Sequence, residues 1–155
     1  MTPTRILPDL QFSMVCEDIR REVTGMFTVV GILGAIPVPQ VPVNVYKMFV
    51  FNRWTAGVGQ FNETVRLVAP DGSTVLRKSD IRFALQDPAH SSSNVSFLGQ
   101  LQLPVAGVYH VEVLVDDVMK LRYPLPVVLM PPPPGQEAPP SAVPPEPAAG
   151  IPPTP

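Results

Sequence analysis

The chain has 155 residues, enough for about one domain, and its 11 Lys and Arg against 13 Asp and Glu give a formal net charge of -2. That balance supplies no broad basic surface for phosphate binding, so nucleic acid is not expected as a partner. Cys16 is the single cysteine, which rules out an internal disulfide and a multi-cysteine zinc site.

Residues 1–9 read as an N-terminal arm. They hold no apolar run of signal-peptide length, and nowhere does the chain reach the roughly 20 apolar residues of a membrane-spanning helix. A cytoplasmic protein without membrane contact is the expectation. Leu10, Phe12, Met14 and Cys16 then alternate with Gln11 and Ser13, the period of a strand with one buried face. In that row Cys16 reads as a small buried hydrophobe rather than a reactive thiol. The charges of residues 17–22 have mixed sign and read as a solvated connection rather than a carboxylate site.

Residues 26–33 are apolar on both faces and predict a central strand covered on both sides. Gly25, Gly31 and Gly34 lack the lysine and hydroxyl that a phosphate-binding loop needs. Pro37, Pro39 and Pro42 exclude regular structure until Val43, where a third strand runs over 43–52 with a bulge near Lys47. Trp54, the only tryptophan, falls in a predicted loop over 53–59 and is expected to cap a core rather than stack on a ligand.

Residues 61–69 and 73–85 predict a hairpin joined by Pro70-Asp71-Gly72, with glycine in the left-handed conformation. Residues 87–94 form an expected polar loop with His90 and Ser91-Ser92-Ser93, too little to indicate a nucleophile and base. A strand over 95–103 puts Phe97, Gly99, Leu101 and Leu103 on one face. Asn62-Glu63-Thr64 and Asn94-Val95-Ser96 match the glycosylation triplet, which matters only on a secreted chain, and both are read as chance.

The most regular stretch follows. Tyr109, Val111, Val113 and Val115 share one face while His110 and Glu112 share the other. Beyond Asp116-Asp117, read as a turn rather than a calcium site, Met119, Leu121, Tyr123 and Leu125 alternate again. Matching the apolar faces requires an odd loop, with Val115 beside Met119, Val113 beside Leu121, Val111 beside Tyr123 and Glu112 opposite Arg122. Residues 131–155 hold 12 of the 22 prolines, so polyproline II or disorder is expected there, as a spacer rather than a PxxP ligand.

Gly107-Val108-Tyr109-His110-Val111 is similar to the penultimate strand of immunoglobulin-like sandwiches, in which a glycine precedes a corner tyrosine by two positions. Val111 stands where an immunoglobulin domain has its second cysteine, so the resemblance implies architecture alone. Val15-Cys16-Glu17-Asp18-Ile19-Arg20, Gly25 to Gly31, the Pro-Asp-Gly hairpin and Leu103-Pro104 with Gly107 and Tyr109 together resemble a family of uncharacterised small bacterial proteins over residues 10–127. That resemblance implies a sandwich and no activity.

The expected fold is an all-β antiparallel sandwich of seven or eight strands, immunoglobulin-like or jelly-roll-like, over residues 10–130, with the arm at 1–9 and the tail at 131–155. Two histidines, one cysteine and no nucleophile elbow leave no catalytic, cofactor-binding or metal residue to name. The expected function is that of a noncatalytic protein-interaction or scaffold module, with a sandwich that binds a carbohydrate or peptide as the alternative. Phe and Tyr falling mostly inward weigh against sugar binding. The partner is another protein, with a homo-oligomer among the options.

Overall fold

The computed structural model describes residues 4–131, so the expected tail, apart from Pro131, lies outside the described residues. Eleven strands run in chain order: β1 (Asp9–Arg21), β2 (Phe27–Ile32), β3 (Ile36–Val38), β4 (Val43–Val45), β5 (Phe49–Thr55), β6 (Gly59–Val68), β7 (Val75–Leu85), β8 (Ser91–Phe97), β9 (Leu101–Leu103), β10 (Gly107–Val115) and β11 (Val118–Leu129). They form a four-stranded sheet β2-β1-β5-β8, a five-stranded sheet β3-β11-β10-β6-β7 and a ribbon β4-β9. Among the described residues there is no helix, and none is therefore long and apolar enough to cross a membrane.

The protein is all-β, but the expected seven or eight strands become eleven. Three of them, β3, β4 and β9, are only three residues long. β3 falls where the prolines were expected to exclude regular structure and exists because β11 lies beside it, whereas β4 and β9 are pieces of strands that the alternation predicted. β3 also breaks the antiparallel rule, pairing parallel to β11 through Val127↔Ile36 and Leu129↔Val38. Its Pro37 sits on an edge strand, where a missing N–H costs no ladder bond.

Other boundaries move for the same reason. The charged residues 17–21 continue β1 instead of forming a connection, because β2 pairs along them. β2 is an edge strand rather than a central one, and most of its residues are exposed. The strand expected over 43–52 is split between β4 and β5. Arg53 to Thr55 belong to β5, and the serines expected in a loop pair with them in β8, Ser91 with Thr55 and Ser93 with Arg53. The stretch expected to run unbroken over 95–103 is divided at residues 98–100 between β8 and β9, leaving Phe97 46% exposed while Leu101 and Leu103 are buried.

Both large sheets contribute to one apolar core. Val15, Val50 and Trp54 come from the first, and Val65, Leu67, Tyr109, Val111, Val113 and Val115 from the second. Burying each such side chain fully contributes roughly 1.5–3 kcal/mol. Tyr109, Val111, Val113 and Val115 are all fully buried, as their alternation predicts. The Tyr109 hydroxyl donates to the Val105 carbonyl at 2.6 Å, tying the strand entrance back on itself.

The two predicted hairpins form. Gly72 has φ +80°, and Asp71 accepts the Ser73 and Thr74 N–H groups at 2.9 and 2.8 Å. In the β10–β11 hairpin Asp116 and Asp117 both have positive φ, at 46° and 66°, which suits a two-residue turn between twisted strands. The required change of parity comes from a bulge, not from an odd loop. Val115 pairs with Val118 and Leu114 with Met119, then Val113 with Leu121, leaving Lys120 as the extra residue. From there inward the expected pairs Val111↔Tyr123 and Glu112↔Arg122 hold.

Candidate functional site

Alternation on β5 turns Val50, Asn52 and Trp54 toward the second sheet. On β8, Asn94 and Ser96 share that face, and Asn52 lies directly beside Asn94. Opposite them β6 presents Phe61, Glu63, Val65 and Leu67, so one carboxylate stands in an apolar row. Glu63 is fully buried, and no cation reaches it among the described residues. Its carboxylate instead accepts three neutral N–H donors: Asn52 Nδ2 at 3.2 Å, Trp54 Nε1 at 2.5 Å and Asn94 Nδ2 at 2.9 Å. All three donors come from the first sheet and the acceptor from the second.

The polar seam continues across β1, where Ser13 pairs in register with Asn52 and its hydroxyl lies 2.9 Å from the Tyr123 hydroxyl of β11. Burial pushes the Tyr123 hydroxyl up to about 12, against the opposing hydrogen bond from Ser13. Asn52 Oδ1 and Ser96 Oγ are buried without a partner. A carboxylate closed off from solvent and saturated by neutral donors cannot meet a substrate. Its chemistry is that of a pin between sheets.

Sequence reading placed Glu63 in a predicted strand and Asn94 in a polar loop, and singled both out only as parts of chance glycosylation triplets. The legible sign was an acid between Phe61 and Val65 on the inward phase of a strand. Trp54 does lie in the core, as expected, but from within β5.

The residues weighed for chemistry do not converge. Cys16 is fully buried in β1, its thiol pushed up chiefly by burial and further by the charge of Asp18. His90 sits in the exposed turn before β8, and His110 is half-buried on β10. Asp116 accepts the Asn62 N–H at 2.9 Å and pairs with Arg5, a turn function. Among the described residues, no three of His, Cys, Asp and Glu gather as metal ligands. An open cavity of about 350 Å³ is lined by Gln60, Phe61, Arg82, Phe83 and Ala84, with Arg82 as its one charged group.

The outward faces differ sharply. On the second sheet Glu112 lies between Arg66 at 2.9 Å and Arg122 at 3.7 Å, while Asp80 accepts the Thr64 hydroxyl at 2.6 Å. Glu112 is thus answered by two arginines. On the first sheet the phase opposite Val15 and Val50 carries Phe12, Met14, Phe49, Phe51 and Phe97. Phe49 and Phe51 fall on this outer phase because β5 alternates between two apolar rows, yet Phe51 is buried, and of the phenylalanines and tyrosines only Phe97 and Tyr46 are exposed. Phe12 and Phe51 lie 5.4 Å apart and Phe49 and Phe97 also 5.4 Å, with Phe27 of the β1–β2 hairpin 5.2 Å from Phe51. Arg53 stands over Phe12 and Lys47 over Phe49.

A family model described as "Family of unknown function (DUF6941)" matches residues 11–128, all but the first two residues of β1 and the last of β11. No curated protein matches the chain.

Proposed function

The chain belongs to this family of unknown function, and from that premise we propose that it is a noncatalytic interaction module whose layered sheets form an immunoglobulin-like sandwich. The hydrogen bond from Tyr109 to the Val105 carbonyl supports the immunoglobulin-like reading, since a corner tyrosine of this kind marks the penultimate strand of such sandwiches. The module holds another protein on the outer face of the first sheet. The observation that carries this reading is the aromatic row on the outer phase of the first sheet, in which Phe97 is exposed, Phe12 and Phe49 are half-buried and Phe51 is buried beneath them, with Arg53 and Lys47 set over its rings. Lys47 is already held by Asp18 at 2.9 Å, so an apolar patch with the Arg53 guanidinium beside it fits an apolar partner segment that carries an acid.

A sugar-binding sandwich is the other reading, but sugars stack on flat, open rings. Here the Phe12–Phe51 and Phe49–Phe97 pairs are tilted by 59° and 51° against each other, which suits side chains better than pyranose faces. The test is capture of cellular proteins by the full chain and by Phe49→Ala/Phe97→Ser. Partners held by the wild type are expected to be lost with the double variant while its melting temperature stays close to wild type. Equal capture by both would remove this face from the function, and glycan binding lost with the same variant would favour the sugar reading.

A further inference from the structure

β1 has two neighbours, but they do not run equally far. β2 pairs with it from Cys16 to Arg21, whereas pairing to β5 ends at Cys16↔Phe49. Beyond that point residues 17–21 keep a backbone edge to which, among the described residues, no main-chain group bonds from the β5 side. Glu17, Arg20 and Arg21 are exposed there, and Asp18 and Ile19 are half-buried.

The edge reads Glu17-Asp18-Ile19-Arg20-Arg21: two acids, an isoleucine, two bases. Its facing residues on β2, Val30, Val29, Thr28 and Phe27, carry no charge to answer it. Asp18 is met by Lys47 at 2.9 Å and by Arg20 at 3.6 Å, both from side chains. Glu17 and Arg21 make no ion pair among the described residues.

This order of charges is its own complement. Run antiparallel to itself about Ile19, it sets Glu17 opposite Arg21 and Asp18 opposite Arg20, with Ile19 facing Ile19. Directly opposed residues of an antiparallel pair share a face, so each acid meets its base, and two-fold symmetry repeats both contacts. A slip of two residues either way puts Asp18 against Asp18 or Arg20 against Arg20. Parallel pairing in register puts acid on acid at residues 17 and 18 and base on base at residues 20 and 21. The charges thus select one register and one direction, and an unpaired edge gains its missing ladder bonds.

We propose that the chain forms a two-fold symmetric homodimer by antiparallel pairing of residues 17–21 of β1, with a second copy as the occupant of that edge. The aromatic face on the same sheet is left to a different partner, so the dimer stands independently of the function proposed for that face. An interface of five residues a side with exposed charges is reversible and weakens with salt.

Sedimentation velocity on the purified full chain, over a concentration series at low and high salt, is the test. The wild type is expected to show a monomer–dimer equilibrium that salt shifts toward monomer. Glu17→Arg and Arg21→Glu each place like charges in register and should weaken the dimer by about tenfold or more. An equimolar mixture of the two variants should recover it, because a heterodimer sets the two reversed positions opposite each other with complementary charge. Arg20→Glu, on the opposite face of the strand, should weaken it likewise and serves if either of the others fails to fold by circular dichroism. A wild type that stays monomeric across the series overturns the proposal. So does a dimer indifferent to the charge reversals, which would pair through another edge such as β2, or a mixture that fails to recover association. Purified chain alone is used, so none of these outcomes bears on whether another protein docks on the aromatic face.

Discussion

Glu63 is unusual in that its buried carboxyl group is met only by neutral groups. Asn52, Trp54 and Asn94 each donate an N–H to it. Glu63→Ala would strand all three donors in the core, at a cost of about 1–3 kcal/mol for each left unsatisfied. Partial relaxation brings the expected loss to about 3–5 kcal/mol in urea unfolding. Glu63→Gln restores one acceptor but turns an amide NH₂ toward other donors, so it should recover only part of that loss. A Glu63→Ala protein within about 1 kcal/mol of wild type would mean that water enters and replaces the carboxylate. Val111 and Val113 were legible as buried residues because apolar letters on one phase of a strand have a single good destination, whereas Cys16 is buried on the outer phase it shares with Met14 and Phe49, not in the inward row that the alternation suggested. Glu63 was not legible as buried, because a charged letter reads as surface until the facing sheet supplies its donors.

Hairpins were the most legible elements, since their information is local. Pro70-Asp71-Gly72 forms the expected turn because Asp71 binds the backbone two and three residues ahead, and the Thr74 hydroxyl at 2.5 Å. The Thr74 hydroxyl, followed by the Thr74 and Ser73 N–H groups, lowers the Asp71 carboxyl to about 2. A carboxyl lowered on folding contributes stability that is fully present above its unfolded value, near 3.9, and is lost as pH falls through about 2. Asp71→Ala is therefore expected to melt below wild type at pH 6, with the gap narrowing between about pH 4 and 2. A gap that is constant with pH would show that the carboxylate charge is not what closes the turn. Long-range elements were illegible for the converse reason. β3 at Pro37 and the serine half of β8 are strands only because β11 and β5 lie beside them, and nothing in their own composition announces those neighbours; β4 was read as strand, but its break from β5 and its pairing with β9 were not. The β10–β11 register lies between these cases: face matching required a shift of parity, but only tertiary packing decided that a bulge at Lys120 would supply it.

At the scale of the whole molecule, two sheets with different outer faces share one core and one polar seam. The all-β class was legible from period-two alternation throughout. The division into two large sheets and a ribbon was not, because strand order depends on pairings between residues as far apart as Val38 and Leu129. Trp54 sits where the layers are joined. It belongs to β5, its ring stacks on Phe83 of β7 at 5.7 Å, and its N–H binds Glu63 of β6. Its fluorescence therefore reports contact between the sheets, while far-UV circular dichroism reports strands within each. If the layers are held by one core, neither sheet can keep its apolar face buried once they part, and separation exposes Val50, Val65, Val111 and Leu125 together. The Trp54 emission change and the loss of the strand signal should then superpose in urea, with one midpoint and one slope. Glu63→Ala should lower both midpoints equally, because the pin it removes belongs to the shared transition. A tryptophan transition that precedes the strand signal would mean that the sheets separate while each remains folded, and the seam would then be a local clasp rather than part of a single cooperative core.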